Sequence, residues 1–379
     1  MRARLLAIIL FAVAACDVEE RDLEAEASAC EEGAPLAVPG VDGHLVALNA
    51  YYLQEEATRA LRRGEAEAAA VEETLAKAAA LGVRAVRTNA FNDGAGDAAM
   101  QVAPLVYDEV ALRGLDLVLA RARVHGLRLV LPLANRWDDY GGQRQYVAWA
   151  GLPSPREGDP RFFTDRAVVE HFRAHVTALL DRVSTVDGIR WGDHPAVLAW
   201  ELVNEPRADG VSREALRAWV DELAALVKVH APGHLVGSGE EGKDGEEFAL
   251  LTASPYVDYA SVHLYPEAWG VPTEWAALFG AGFLSQRIAT ARRLGKPLLV
   301  GELALRSDGL PLEDRRAIYR GWFRCIRRAG GAGVAPWLFA YDARPDAWDP
   351  HTFHWYDGTD PADPVNQYAD LVRDAAALP

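Results

Sequence analysis

Short apolar runs alternate with longer helical stretches along most of this 379-residue chain, and that alternation constrains the fold more than any other feature. A run of Val, Leu and Ala too short for a helix reads as a buried parallel strand, and each such strand needs a crossover before the next. Strands are expected near 44–50, 83–89, 127–133, 196–203, 234–238, 258–264, 297–302 and 333–337. Helices are expected over 65–80, 106–125, 165–185, 212–230, 275–294, 313–329 and 361–377, with a single turn near 245–251. This order predicts one α/β domain over 41–379, a (β/α)8 barrel with an extended loop after its third strand. Half of the residues are apolar and 11 are Trp, enough for one large core. Barrels of this kind take about 250 residues plus insertions.

Several expected strands end on reactive side chains. The run 196–203 leads into Asn204-Glu205-Pro206, and 297–300 leads to Glu302. His263 and Tyr265 close another strand two residues apart, hence on one face. Arg87 lies at the far end of 83–89, and Trp337 ends 332–337. A lone glutamate at a strand end is as readily a solvated terminus as a catalytic group; five such ends on the carboxyl face of one barrel change that balance. Glu205 and Glu302 are 97 residues apart, three strand-to-strand steps, so strands four and seven face each other across the mouth. Two glutamates so placed are the minimum equipment for cleaving a glycosidic bond. The longest loop, 134–164, holds Trp137, Asp138, Asp139, Tyr140, Tyr146 and Trp149, aromatics that suit the wall of a sugar cleft.

An ordered series of motifs covers about 45–337. It comprises Arg87-Thr-Asn-Ala-Phe-Asn-Asp, Asn135-Arg-Trp-Asp-Asp-Tyr-Gly-Gly, Gln145-Tyr-Val-Ala-Trp-Ala-Gly, Phe162-Phe-Thr-Asp, Trp200-Glu-Leu-Val-Asn-Glu-Pro-Arg, Gly239-Glu-Glu-Gly and Val262-His-Leu-Tyr-Pro-Glu-Ala-Trp-Gly. The series resembles glycoside hydrolase family five, most closely its endo-β-1,4-mannanases. Two departures stand out: Asn89 where an aromatic residue is usual, and Glu302-Leu-Ala where Glu-Phe-Gly is usual.

The resemblance implies a retaining hydrolase of mannan or glucomannan that needs no cofactor, with Glu205 as acid/base and Glu302 as nucleophile. A nearby carboxylate is expected to raise the Glu205 pKa. Arg87 would keep Glu302 charged and oriented, or alternatively pair with Glu201. Tyr265 would donate to Glu302, and His263 would bond the sugar or Glu205 unless it is simply a neutral core histidine. Asn204 would bond the sugar 2-hydroxyl, and Trp337 and Trp137 would carry pyranose rings. Arg207 would contact the leaving-group side or form a surface salt bridge, and Asn135 would bind substrate. The alternatives are an endo-β-1,4-glucanase of the same clan and a non-catalytic sugar-binding lipoprotein. No His-x-His, His-Glu-x-x-His or cysteine cluster suggests a metal.

Residues 1–15 read as a signal peptide: Arg2 and Arg4, an apolar run, then Ala14-Ala15. Cys16 directly after them resembles a bacterial lipobox, so a lipidated, extracytoplasmic protein touching the membrane only through its anchor is expected, the alternative being an ordinary secretory peptide cut nearby and a secreted protein; a monomer is expected. Residues 16–40 would be its acidic, alanine-rich tether. Cys30 and Cys325 would then share an oxidising compartment, where they pair or leave Cys325 as a core thiol spaced with Ile318 and Trp322. The net charge of −16 argues against nucleic acid and suits a neutral polysaccharide.

Overall fold

The computed structural model describes residues 22–65, 67–306, 308–340, 351, 353–354 and 372. Among them eight parallel strands build the expected barrel: β1 (Leu45–Asn49), β2 (Ala85–Arg87), β3 (Arg128–Pro132), β4 (Val197–Glu201), β5 (Leu235–Gly237), β6 (Ala260–Leu264), β7 (Leu298–Leu303) and β8 (Gly333–Val334). Each falls inside its expected span, except that β7 runs one residue past it, and β2, β4, β6 and β8 are two or three residues shorter than expected at one or both ends. Their hydrogen-bonded order is β5-β4-β3-β2-β1-β8-β7-β6. The seam between β5 and β6 is joined by single contacts rather than a ladder: Asp258 N–H to the Val236 carbonyl at 2.8 Å and His263 N–H to the Glu241 carbonyl at 2.9 Å.

The helices around the barrel are α1 (Leu23–Ala27), α2 (Leu53–Arg62), α3 (Ala69–Ala80), α4 (Glu109–Val124), α5 (Gly142–Trp149), α6 (Arg161–Thr164), α7 (Arg166–Asp181), α8 (Arg213–His230), α9 (Gly245–Thr252), α10 (Ala276–Arg293) and α11 (Leu312–Arg328). Side-chain caps fix several starts. Asp108 accepts from Ala111 N, Asp165 from Ala167 and Val168 N, and Ser212 from Ala215 N, each satisfying a donor the helix leaves open. The helix expected from 106 therefore begins at Glu109, while Val106–Tyr107 pairs antiparallel with Gln101–Ala103. The single turn expected near 245–251 is instead the eight-residue α9, capped by Asp244. Of the helix expected over 361–377 only Val372 is described, helical and packed in the core.

Two apolar layers hold the barrel. Most of the core lies between sheet and helices, with Trp191, Trp200 and Trp322 fully buried. A smaller cluster including Leu45, Ala47, Ala85, Val130, Ala199 and Leu299 fills the barrel interior. Alternation along the strands places Asn49 on the same face as Leu45 and Ala47, Arg87 with Ala85, and Glu201 with Ala199. An apolar plug at the bottom thus gives way to a charged layer at the carboxyl end.

The tether expected over 16–40 is corrected from Asp22 onward. Glu24 pairs with Arg320 at 3.0 Å and also with Arg324, and Ala27 is fully buried. A Cβ on Gly321 would stand 2.4 Å from that of Ala27, so glycine lets α1 lie directly on α11. Cys30 and Cys325 form a disulfide. Composition suggested a solvated acidic chain, but the acids have a basic helix to meet. Residues 1–21, with the signal and Cys16, lie outside the described residues.

Candidate active site

Arg87, at the end of β2, organises the floor. Its Nε donates to Glu201 Oε2 at 2.8 Å, Nη1 to Glu302 Oε1 at 2.5 Å and Nη2 to Asn204 Oδ1 at 2.8 Å. The two pairings that sequence left as alternatives are both present, because one guanidinium fork has enough donors for two carboxylates. The other Glu201 oxygen accepts from Tyr259 at 2.9 Å. Burial works against the charge on Arg87, but Glu201 and Glu302 outweigh it and raise its pKa.

Glu302, on β7, accepts from Arg87 through Oε1 and from the Tyr265 hydroxyl through Oε2 at 2.5 Å. Glu205 follows β4 on backbone with φ of 56°, in the left-handed region that costs a side-chain-bearing residue roughly 1–2 kcal/mol. Its N–H donates to the Gly239 carbonyl at 2.9 Å. Gly239 is itself required, since φ is +81° and a Cβ would fall 1.9 Å from the Val203 carbonyl oxygen. One carboxylate oxygen of Glu205 meets His263 Nδ1 at 2.7 Å and the other accepts from Trp137 Nε1 at 2.8 Å. Oxygens of Glu205 and Glu302 and a His263 nitrogen lie within 4.8 Å of one another.

The expected rise in the Glu205 pKa is not found. Burial pushes this carboxyl up, but the hydrogen bond and charge of His263, then Arg207 and Trp137, bring it down to about 2. The second carboxylate instead acts on His263, whose pKa burial lowers but Glu302 and Glu205 raise. Among the described residues His263 Nε2 is buried without a hydrogen-bond partner, so a second ring proton would carry its own cost. Glu205 and His263 therefore form a unit with one mobile proton between them. All four glutamate oxygens already have protein partners, so this is a hydrogen-bonded acid pair rather than an open metal-donor set.

These groups line a cleft of about 770 Å³ that also receives Arg87, Asn89, Asn135, Trp137, Asn204, Arg207, Tyr265 and Trp337. His263 is fully buried beneath it. Asn204 donates to Asn135 Oδ1 at 3.1 Å, so its amide is oriented from both sides. Arg207 donates to Glu241 at 2.9 Å and stands 3.8 Å from Glu205 Oε2. Trp137 is not the bare platform expected, because the guanidinium groups of Arg136 and Arg207 lie 4.9 and 5.1 Å from its ring centre. Of the loop aromatics, Tyr140 joins Trp137 in the cleft, while Tyr146 is fully buried and Trp149 packs on the core.

Sequence reasoning gave no role to Tyr51, Glu241, Lys243 or Trp269, which also line the cleft. Tyr51 stacks on Trp337 with ring centres 5.3 Å apart and planes 7° from parallel. The aromatic pair Tyr51-Tyr52 after β1 was the available signal.

A family model described as GH family 5 beta-mannosidase-like matches residues 42–368. The chain is 42% identical over 278 residues to mannan endo-1,4-beta-mannosidase 3 of Oryza sativa subsp. japonica, covering 67% of this chain and 58% of that protein. It is 34% identical over 331 residues to mannan endo-1,4-beta-mannosidase 1 of the same plant, covering 80% and 76%. The chain spans 58–65% of the length of three such rice relatives. The endo-beta-1,4-mannanase from Thermotoga petrophila superposes with a TM-score of 0.78 at 27% identity, covering 90% of this chain and 78% of that one.

Proposed function

The chain belongs to glycoside hydrolase family 5, among its β-mannosidase-like members, and from that premise we propose that it is a retaining endo-β-1,4-mannanase. One observation carries the reading: Glu205 and Glu302 converge from β4 and β7 with carboxylate oxygens within 4.8 Å. That spacing suits direct attack on the sugar, whereas an inverting pair stands about 6.5–9.5 Å apart to admit a water.

Glu302 accepts hydrogen bonds at both oxygens from Arg87 and Tyr265 and is the nucleophile. It attacks the anomeric carbon while Glu205 protonates the departing oxygen, its proton supplied from the unit shared with His263. Water then opens the glycosyl ester with Glu205 as base. Asn204, fixed by Arg87 and Asn135, presents its amide to the 2-hydroxyl. Trp337, backed by Tyr51, offers a flat face to a pyranose. The printed activity of the rice relatives supports β-1,4-mannan as substrate.

The test is a comparison of kcat/KM on mannan and glucomannan with that on carboxymethylcellulose, with proton NMR of early products. A preference for mannan of roughly ten- to hundredfold is expected, from about 1–3 kcal/mol for each polar group left unpaired by the wrong 2-hydroxyl, with the β anomer appearing first. Equal rates on cellulose would overturn the substrate; α product would overturn the mechanism. For location we propose lipid attachment at Cys16, supported by Ala14-Ala15-Cys16 after an apolar run. A Cys16→Ser chain that still fractionates with membranes would refute it.

A further inference from the structure

Beyond Trp269 the surface falls into a second groove, of about 830 Å³, bounded by the loop 269–275 and the outer face of α10. Lys243 and Trp269 belong to both this groove and the catalytic cleft. Lys243 Nζ lies 5.8 Å from the Trp269 ring centre, forming a low rim between the two.

The groove is apolar and aromatic on an otherwise strongly acidic molecule. Trp275 is 54% exposed, Leu278 47% and Phe279 37%. Grouped large apolar side chains left in water mark a binding surface more often than scattered ones do. Trp269 rests on Phe283 with ring centres 5.2 Å apart, so the rim is rigidly backed. Gly270 and Gly282 line the groove, and a Cβ at either would meet nothing within 4 Å. Gly282 sits mid-helix in α10, where glycine is disfavoured by roughly 1 kcal/mol against alanine and no internal contact demands it. What its missing side chain leaves open is the groove floor.

We infer that this groove is an accessory binding site for the same polysaccharide chain that threads the catalytic cleft, with Trp275 and Phe279 as its sugar platforms. The inference rests on the mannanase reading and extends it. Continuity with the cleft argues for the occupant: a glycan leaving the acid side of the site, past Arg207 and Glu241, reaches Lys243 and Trp269 and then the groove. The apolar faces of pyranose rings fit exposed indole and phenyl rings, and a neutral polymer is not repelled by the net charge of −16. A chain held here raises the local concentration of bonds at the cleft, so long substrates gain and short ones do not.

The experiment compares the parent with Trp275→Ala and Gly282→Leu, the first removing a platform and the second filling the floor without disturbing the interior. Each is assayed on high-molecular-weight mannan and on mannotriose. About a three- to tenfold rise in KM on the polymer is expected, the scale of losing one aromatic contact of about 1 kcal/mol, with kcat/KM on mannotriose unchanged. Parent-like KM on the polymer in both variants, or equal losses on both substrates, would overturn the inference while parental mannan hydrolysis stands. Failure of the parent itself to cleave mannan would overturn the mannanase reading, and this one with it.

Discussion

Glu205, following β4, and His263, on β6, meet at 2.7 Å between Oε1 and Nδ1, both buried, and this contact governs the protonation of the proposed acid. Removing the ring as His263→Asn takes away the influence that most opposes burial in holding Glu205 down. The Glu205 pKa should rise, so the alkaline limb of the kcat/KM profile, where the acid loses its proton, should move to higher pH. Maximal activity should fall at least tenfold through lost proton delivery. An alkaline limb that stays in place or moves down would break the assignment.

Glu302→Gln should abolish turnover, by roughly three orders of magnitude or more, while leaving mannan binding intact, because the amide keeps the shape but is not nucleophilic. Glu205→Ala should lose most activity on mannan yet keep faster reaction with aryl glycosides, whose leaving groups need little protonation. Equal losses on both substrates would remove Glu205 from the acid role.

Arg87→Met should cost about 3–5 kcal/mol of stability, since Glu201, fully buried, would lose its cation. The double variant Arg87→Met/Glu201→Met should recover much of that in urea denaturation, because a packed apolar pair replaces an orphaned charge. If the single and double variants unfold at the same urea concentration, Glu201 does not depend on Arg87.

Reducing the Cys30–Cys325 disulfide should destabilise the protein by about 2–5 kcal/mol with no change in kcat. Cys325 lies one turn before the end of α11, which leads to the start of β8, at the end of the barrel opposite the cleft. Thermal unfolding with and without reductant should separate for the parent and coincide for Cys325→Ser. A fall in kcat on reduction would show that the strap reaches the site.

Asp93 is raised to about 7 by burial, against hydrogen bonds from Tyr146 and Gln101. A carboxyl with a raised folded pKa is favoured in the fold while protonated. Its contribution is full below the unfolded value of about 3.9 and is lost as pH climbs through the folded one. Relative to Asp93→Asn, the parent should lose stability between pH 4 and 7, by up to about 1.4 kcal/mol per pH unit. A difference that is flat across that range would refute the shift.

The barrel was legible because its strands are buried on both faces and read as unbroken apolar runs, and because Asn204-Glu205-Pro206 and Glu302 sit where such runs stop. The docking of α1 was not, since nothing local in Leu23–Ala27 reveals a basic helix some 300 residues away with Gly321 at the point of contact. Helix α2 was missed because its first turn, Leu-Gln-Glu-Glu, is too polar to stand out from the loop before it. Within the site, residue types were readable but their number of partners was not. Arg87 serves two carboxylates and the amides of Asn49 and Asn204, and Trp137 offers its N–H where its face was expected, outcomes fixed by the convergence of separate loops.

The left-handed backbone at Glu205 sets the scaffold against the reaction. Glycine and asparagine adopt that conformation most readily, whereas proton transfer demands a glutamate there. A library selected only for soluble yield should therefore enrich Glu205→Gly and Glu205→Asn, and its best-folded members would have lost most of their activity on mannan. Sequences that retain glutamate at this position do so because something selects for turnover itself.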